Sequence, residues 1–454
     1  MSLTTDSYAA PGTHSLGYSR PEQRLFDVAW ILFVASIPLS KAMGSLAEAL
    51  MACCWLASLR RSGRAAQVWE NWRMQPLLWG FPALYILFLV GGLYSQSVGD
   101  TLQELNQKHY FLTLPLMLGT LTPSPRVMRQ ALLAFGVANV LVALMIVGLV
   151  WNGKPWFLGT PDIPSPLVQR PRASMFLAFA LLGFLTESME KFRAGQRDST
   201  GWWIRGLAMF FLLAGLLLLK GRIGQVGLLV GLAWIVWNTF EGIRQRLGGL
   251  ILLVTLSLLA WNTLDSVRKP FLEAFNEIKE SQQGYPNSEP EFSSMGMRFT
   301  YWSTYLNLWS QHPWLGVGTG DMVPIGRQLF EDHPLEIPYH RPHQQWLELG
   351  VQLGLPGVCL LAWAWWLWWK HRPLKNRVLV EAVHLIFWGS MFLDSTLSTQ
   401  AGISAFMALP LALHYRDGGS PIESLKAINP ARPIQRPETM HSRPLQDFLQ
   451  KRTP

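Results

Sequence analysis

The stretch from Tyr339 to Trp369, "YHRPHQQWLELGVQLGLPGVCLLAWAWWLWW", places two histidines and an arginine directly before a long apolar run. From Trp346 onward, the run has one acidic side chain and is long enough to span a bilayer as a helix. A basic cluster, "KHRPLK", follows it. The pattern is typical of a membrane helix with polar groups at both ends.

The composition indicates the same class for the whole chain. Of 454 residues, 50% are hydrophobic, 22 are Trp and only 15% are charged, and the charges lie between long apolar runs. This pattern is typical of a polytopic membrane protein. Cys53, Cys54 and Cys359 lie inside apolar runs, which excludes a disulfide framework and a zinc site built on cysteines. The polar N-terminus has no cleavable signal, so we expect the first apolar run to remain as a membrane helix.

Runs of membrane-spanning length define the expected fold, an all-α polytopic protein with about twelve transmembrane helices. One long polar loop, which contains short helices, separates the ninth run from the tenth. The expected runs are Phe26 to Ser40, Met43 to Leu59, Pro76 to Tyr94, His109 to Leu121, Val127 to Trp151, Ala173 to Leu185, Trp203 to Leu219, Ile223 to Phe240, Gly249 to Leu264, Trp346 to Trp369, Val378 to Leu393 and Gly402 to His414.

The basic residues predict the orientation, because short cytoplasmic loops keep an excess of Lys and Arg. Five alternate loops carry sixteen of them, including Arg126, Arg129, Lys191 and Lys375. Both termini should therefore lie inside and the long loop outside, in the periplasm. The expected organisation is a cytoplasmic segment at 1–25, transmembrane helices 1–9 at 26–264, a periplasmic loop subdomain at 265–345, transmembrane helices 10–12 at 346–415, and a cytoplasmic tail of disordered composition at 416–454.

Basic residues on the outer side oppose this bias, and a bound anion is one reason for them. Lipid head groups are another, because long basic side chains also reach the bilayer surface. Arg222 is the strongest candidate for anion binding, since the turn in "LLLLKGRIGQVG" confines it tightly. The outer cations are Lys41, Lys108, Lys154, Arg170, Arg172, Lys220, Arg222, Arg268, Lys269, Lys279, Arg298, Arg327 and Arg341.

The long loop contains the segment "MRFTYWSTYLNLWSQHPWLGVGTGD", residues 297–321. Its aromatic residues recur at helical spacing, which predicts an amphipathic helix from Arg298 to the pair His312-Pro313. An arginine in the first turn gains nothing from the helix macrodipole, so we expect Arg298 to reach for an anion. The glycine-rich "GVGTGD" lacks the lysine of a nucleotide-phosphate loop and is interpreted as a turn.

Three segments together resemble the signature regions of the O-antigen ligase and polymerase superfamily of bacterial membrane glycosyltransferases. They are "KGRIGQVGLLVG" with Arg222, the segment 297–321 with Arg298, and "RPHQQWLELGVQLGLPG" with His343. Their order, and the expected layout of twelve spans with an outer loop, are similar to the O-antigen ligase and imply a GT-C-like fold. The family's histidine is commonly followed by Asn, where this chain has Gln344.

The resemblance implies transfer of an O-antigen glycan from undecaprenyl pyrophosphate to the lipid A core oligosaccharide, on the periplasmic side of the bacterial inner membrane. A departing pyrophosphate needs charge stabilisation from metal ions or arginines. The outer segments have no acidic pair with an obvious metal-ligand arrangement, so we expect no metal and no other cofactor. Arg222 and Arg298 are assigned to the pyrophosphate, because guanidinium groups bind phosphate with two parallel hydrogen bonds. The weaker substrate-binding candidates are Arg170, Arg172, Lys108, His340 and Arg341.

The acceptor hydroxyl needs a base, and histidine is the residue type suited to that role at neutral pH. His343 is the candidate base and His340 a candidate helper. Asp394 either orients a histidine or has a capping role. The expected partners are the two lipid-linked substrates and the bilayer, with no nucleic acid.

Other functions are compatible with the sequence. An O-antigen polymerase or a protein O-oligosaccharyltransferase uses the same lipid-linked donor with another acceptor. A transporter of lipid-linked sugar should have polar residues deep in several spans or inverted repeats, and neither is clear here. A structural scaffold would leave the outer arginines and His343 unexplained.

Overall fold

The computed structural model describes residues 20–60, 78–153, 168–196, 198–282, 296–331, 341–373 and 375–416. These residues fall within the first of two units, Met1–Gly418, and the second unit, Gly419–Pro454, lies outside them. Residues 1–19 of the expected N-terminal segment 1–25, residues 417–454 of the expected tail 416–454, and the candidate helper His340 also lie outside the described residues.

The described residues form α-helices, turns and one short 3-10 helix, with no strand. The helices are α1 (Arg20–Ser36), α2 (Lys41–Arg60), α3 (Gly80–Leu93), α4 (Val98–Lys108), α5 (Tyr110–Thr120), α6 (Pro125–Trp151), α7 (Arg170–Arg193), α8 (Ser199–Leu218), α9 (Arg222–Thr239), α10 (Ile243–Thr263), α11 (Asp265–Gln282), α12 (Gly296–Gln311), α13 (Met322–Glu331), α14 (Gln345–Lys370), α15 (Arg377–Leu393) and α16 (Gln400–Tyr415). Each of the twelve expected apolar runs overlaps one of these helices, and the all-α fold is confirmed.

Six described helices, α2, α6, α7, α8, α10 and α14, are long and apolar enough to cross a membrane. The sixth expected run was short, but its helix extends from Arg170 to Arg193 and is among these six. By contrast, α5 has 11 residues and covers roughly 16 Å, about half of a bilayer's hydrocarbon thickness. The structure thus supports six spans by length and composition, and the arrangement of twelve remains a prediction.

Helix α16 lies at the centre of the bundle, because every residue from 401 to 415 is buried. Its Phe406 stacks on Trp368 of α14 at 5.5 Å and meets the edge of Phe81 of α3 at 5.2 Å. Helix α10 is the opposite case, since none of its residues is buried and its leucines face outward. An apolar helix of this length with no buried residue is suited to contact with lipid rather than with water.

Helices α12 and α13 pack on the first half of α14 around Tyr305, Phe330 and Val351, in a second core beside the main bundle. The helix predicted from Arg298 is confirmed, with bounds Gly296–Gln311. This small core holds the end of the long loop against the helix that follows His343.

The glycine-rich "GVGTGD" segment lies against a break in α14. Gly354 has a φ of +65° inside that helix, and the break leaves carbonyl groups open to the loop. Val317 donates its N–H to the carbonyl of Val351 at 2.8 Å, and Gly318 donates to that of Gln352 at 3.1 Å. A Cβ at Gly354 would lie 2.2 Å from the carbonyl oxygen of Trp314, so the close approach requires glycine.

Candidate active site

His343 lies directly before α14, where Gln344 is the N-cap residue and its side-chain oxygen accepts the N–H of Leu347. The backbone of His343 has a φ of +50°, in the left-handed region that non-glycine residues seldom adopt. Such a conformation costs on the order of 1–3 kcal/mol and persists only where the surroundings impose it. The side chain is 35% exposed, so the imidazole is accessible at the entrance to an apolar helix.

Asp394 lies beside this imidazole. Its Oδ1 is 3.4 Å from Nδ1 of His343, and its Oδ2 is 3.2 Å from Nη2 of Arg172. Burial by itself would raise the pKa of the carboxyl group, but the charge of Arg172, then His343 and Arg298, lowers the pKa of Asp394 below its ordinary value. A buried carboxylate that remains charged is therefore directed at one nitrogen of the imidazole.

The segment 394–398 is held in place from two sides. Leu397 donates its N–H to Oε1 of Gln345 at 2.6 Å, which ties the segment to the first turn of α14. Arg172 donates from Nη2 to the carbonyl of Ser395 at 3.0 Å, which ties it to α7. These bonds fix the carboxylate of Asp394 relative to the start of α14.

Arg222 begins α9, whose first turn packs closely on α7. A Cβ at Gly224 would lie 2.3 Å from the backbone of Ser174, and the N–H of Gly224 donates to the Ser174 hydroxyl at 3.1 Å. Arg222 itself donates from Nη1 to the carbonyl of Pro270 at 3.2 Å. Ser174 is two residues after Arg172 on α7. The first turn of α9, which carries Arg222, therefore packs beside the first turn of α7, which carries Arg172, and both arginines lie at the same end of the bundle.

Two residues near Arg222 in the chain are also unusual, one in its backbone conformation and one in its hydrogen bonding. Lys220 is one of three non-glycine residues with positive φ among the described residues, and His343 is another. Gln225 is 7% exposed, and neither polar atom of its amide has a hydrogen-bond partner among the described residues. Sequence reasoning missed Gln225. The one available signal was its spacing of three residues from Arg222, which puts both on one helix face.

Arg298 lies in the first turn of α12, and its charge acts on Asp394. The same helix contacts the residue just before the candidate base, because Trp302 donates from Nε1 to the carbonyl of Pro342 at 2.8 Å. The ring of Tyr301 is 6.5 Å from that of His343. Helix α12 thus places Arg298 on the same side of the bundle as the pair of His343 and Asp394.

Basic residues therefore occupy the N-terminal ends of four helices: Arg170 and Arg172 on α7, Arg222 on α9, Arg298 on α12, and His343 before α14. A helix N-terminus carries a partial positive charge and exposed N–H groups, so a cation there is unfavourable unless an anion compensates it. Backbone N–H groups and guanidinium groups together are suited to binding phosphate. This end of the bundle thus combines several positively charged groups with an imidazole that faces a buried carboxylate.

Lys108 and Arg341 have protein carboxylates as partners. The buried ammonium of Lys108 contacts Glu104 and lies 4.9 Å from the centre of the Phe88 ring. Arg341 contacts Glu104 with one nitrogen and lies 2.6 Å from Oε1 of Glu348 with another. Burial would raise the pKa of Glu104, but these two cations lower it to about 2. This ion network holds the segment just before the candidate base.

The acidic residue that ends the glycine-rich loop also has backbone partners. Asp321 accepts the N–H of Gln96 at 2.9 Å and that of Ser97 at 2.8 Å, and so fixes the loop to the start of α4. Among the described residues, no group of three or more His, Cys, Asp or Glu side chains is arranged to hold a metal ion.

Comparison with known families adds one match. A family model described as O-antigen ligase matches residues 207–362, about a third of the chain. This segment contains Arg222, Arg298 and His343, whereas Arg172 and Asp394 lie outside it. Comparison with curated proteins finds no significant match. With the six apolar helices, the family match indicates a multi-pass membrane protein with a function of the O-antigen ligase and polymerase type. The resemblance is therefore confirmed over residues 207–362, the segment that matches the O-antigen ligase family model.

Proposed function

We propose that the protein is an O-antigen ligase, which transfers O-antigen glycan from undecaprenyl pyrophosphate to the lipid A core oligosaccharide. The observation that carries this proposal is the pair of His343 and Asp394 beside helix ends that bear Arg222 and Arg298. A base and an anion site together are what transfer of a sugar from a pyrophosphate to a hydroxyl group requires.

The reaction takes place on the periplasmic side of the inner membrane. Support comes from α7, which carries Arg172 near the candidate base and Lys191 in its last turn. Arg172 and Lys191 are nineteen residues apart along this helix, which corresponds to roughly 28 Å. That length is close to the hydrocarbon thickness of a bilayer, about 30 Å. Because short loops rich in Lys and Arg remain in the cytoplasm, the end that carries Lys191 is assigned to that side.

In the proposed step, Nε2 of His343 takes the proton of the acceptor hydroxyl. Asp394 faces Nδ1, so it favours the tautomer in which Nδ1 carries hydrogen and the lone pair lies on Nε2. The hydroxyl oxygen forms a bond to the anomeric carbon of the glycan as the bond from that carbon to the pyrophosphate oxygen breaks. The electron pair of the broken bond leaves with undecaprenyl pyrophosphate.

Arg222 and Arg298 bind the pyrophosphate and stabilise the charge that grows on it. Guanidinium groups offer paired hydrogen-bond donors to phosphate oxygens. The positive ends of α9 and α12 add to the positive electrostatic potential at the pyrophosphate. The reaction is proposed to need no metal ion. Arg170, at the start of α7, and Gln225, which follows Arg222 on the same helix face, are further candidates for contact with the donor.

The sequence also pointed to Lys108 and Arg341 as substrate-binding residues. Their contacts with Glu104 and Glu348 favour a positioning role instead, in which they hold the segment before His343 in a fixed position relative to α4 and α14. Arg172 has a related role, because it holds Asp394 and the carbonyl of Ser395. His340, which lies outside the described residues, remains a proposed helper.

Purified protein with lipid-linked O-antigen and separate lipid A core oligosaccharide tests this proposal. The expected products are glycan joined to the core and free undecaprenyl pyrophosphate, formed equally well in the presence of a chelator. Longer lipid-linked glycan without core product would instead assign a polymerase. Absence of both products, while donor still binds, would contradict glycosyl transfer, and His343→Ala serves as the inactive control.

A further inference from the structure

A second site is indicated at the end of the bundle away from His343. Helices α6, α7, α15 and α16 surround a cavity of about 660 Å³, which we call the inner cavity. Its volume lies within the range of about 300–1,000 Å³ that small-molecule sites occupy. Nothing in the proposed transfer reaction uses it, because Arg222, Arg298 and Asp394 are not among the residues that line it.

The deep part of the inner cavity is apolar. Phe135, Phe179, Phe184, Leu409 and Leu413 line it, from three different helices. Along α6 the lining extends from Pro125 to Gly136, a distance of roughly 16 Å. That depth is half of the hydrocarbon thickness of about 30 Å, so the cavity reaches as far as the tails of one leaflet.

The mouth of the inner cavity is strongly basic. The described residues that line it include two acidic side chains and five basic ones: Arg126, Arg129, Lys191, Lys375 and Arg416.

Two ion pairs account for both of these carboxylates. Glu187 lies 2.8 Å from Lys191, and Glu190 lies 3.5 Å from Arg416. The described residues of the lining therefore have three more positive than negative charges, at the ends of helices that are assigned to the cytoplasmic face.

The positive ends of two helix dipoles add to this charge. Helices α6 and α15 both begin at this end, with Ser124 and Asn376 at their N-cap positions. Partial positive charge at a helix N-terminus attracts anions. The inner cavity thus joins an apolar slot of one-leaflet depth to an anion-binding mouth.

From this combination we propose that the inner cavity binds one anionic phospholipid of the cytoplasmic leaflet. An acyl chain fills the apolar slot between α6, α7 and α16, and Arg126 and Arg129 hold the phosphate. Basic clusters at the cytoplasmic ends of membrane helices attract anionic lipid head groups. A free phosphate would leave the apolar walls unfilled, whereas a zwitterionic lipid carries no net negative charge to match the basic mouth.

Gly183 allows a direct test of the apolar slot. It lines the cavity, and a Cβ added there would have nothing within 4 Å, so the side chain of Gly183→Leu should start in open space and occupy part of the slot. Gly206 is the matched control, because a Cβ there also meets nothing within 4 Å and Gly206 does not line the cavity. Gly206→Leu therefore reproduces the cost of adding a leucine to a helix.

The charge at the mouth is tested by the double variant Arg126→Ala/Arg129→Ala, with Arg244→Ala as a control on the same predicted face. Each protein is purified from nanodiscs that contain equal amounts of phosphatidylglycerol and phosphatidylethanolamine, and native mass spectrometry measures the retained lipid. We expect wild type to retain one phosphatidylglycerol in preference to phosphatidylethanolamine. Both cavity variants should retain about tenfold less, and both controls should match wild type.

Two results would overturn the proposal. Retention of phosphatidylethanolamine equal to that of phosphatidylglycerol would show that the mouth does not select an anion. Wild-type retention by both Gly183→Leu and the double arginine variant would place the bound lipid elsewhere on the protein. The two cavity variants alter different parts of the site, so a folding defect in one leaves the other as a test.

Discussion

Asp394 Oδ1 lies 3.4 Å from His343 Nδ1, although the two residues are 51 positions apart in the chain. The contact joins the loop after α15 to the residue before α14, and Arg172 fixes the carboxylate from a third helix. A separation of 3.4 Å is long for a hydrogen bond, but catalytic bonds often tighten only when substrate is bound. The pair is therefore arranged to give the imidazole one defined tautomer and direction.

The first prediction concerns this pair. Asp394→Asn keeps the size of the side chain and removes its charge, so we expect His343 to lose its orientation and the support for a protonated ring. Glycan transfer should fall by about a hundredfold or more, with little change in donor binding. Initial rates and donor affinity measured on the same preparation check this.

A control for that substitution is Asp198→Asn at the N-cap of α8, where the side chain accepts the N–H of Gly201. Asparagine is an equally good N-cap, so activity there should remain. Normal transfer by Asp394→Asn would remove the carboxylate from the mechanism.

The second prediction concerns the arginines. Arg222→Ala and Arg298→Ala should each lower transfer by at least a hundredfold, because each removes paired donors from the leaving group. Arg298→Lys should recover only part of the rate, since an ammonium keeps the charge and loses the planar pair of donors. Arg244→Ala, at the start of α10 on the opposite predicted face, is the control. A transfer rate near wild type in either alanine variant excludes that arginine.

The third prediction concerns the buried network around Glu104. Its pKa is lowered from 4.5 to about 2, so the carboxylate stabilises the folded state fully above pH 4.5 and loses this effect as the pH falls toward 2. The thermal midpoint of wild type should therefore fall steeply on acidification below about pH 4.5. Glu104→Gln should have a lower midpoint near neutral pH and a flatter pH dependence.

The size of that effect follows from the two cations left in the interior. Loss of one partner from a buried ion pair costs about 3–5 kcal/mol, and Glu104→Gln leaves Lys108 and Arg341 without its charge. Thermal unfolding in detergent from about pH 6 to about pH 3 measures both proteins. Parallel pH profiles for wild type and Glu104→Gln would show that the network contributes no such dependence.

The fourth prediction concerns the topology. Single cysteines at Thr200, at the start of α8, and at Ser310, near the end of α12, should react with an impermeant thiol reagent from opposite sides of the membrane. Both positions are exposed, and Cys53, Cys54 and Cys359 are first replaced by alanine. Ser310 should react from the periplasmic side, because the excess of Lys and Arg keeps α8's first turn inside. Labelling of both from one side would reject the assigned orientation.

Local patterns in the sequence predicted helices at the twelve apolar runs and the helix that begins near Arg298. Apolar runs define helices wherever they occur, and the aromatic spacing after Arg298 correctly predicted α12. The pairing of Lys108 with Glu104 was also readable, since the two are four residues apart on one helix. Lys108 nevertheless looked like a free outer cation, because the sequence does not reveal that both residues are buried.

The features that the sequence did not reveal depend on contacts between segments that are far apart in the chain. Arg341 meets Glu104 across 237 positions, and no local pattern encodes that pairing. The break at Gly354 also has no local signal, because its φ depends on the loop that docks there. The inner cavity arises where four helices meet, so no single segment carries a signal for it.

The last prediction separates the backbone of His343 from its chemistry. Its φ of +50° is a conformation that asparagine adopts more readily than most residues. His343→Asn should therefore keep the local backbone, insert normally and bind lipid-linked donor through the arginines, but it has no base. Transfer should fall by about a hundredfold to ten-thousandfold. His343→Ala should lose at least as much and also unfold at a lower temperature, because alanine is strained at this φ. Donor binding is measured directly beside transfer. If His343→Asn no longer binds donor, the imidazole contacts the pyrophosphate, and the division of roles between histidine and arginines is wrong.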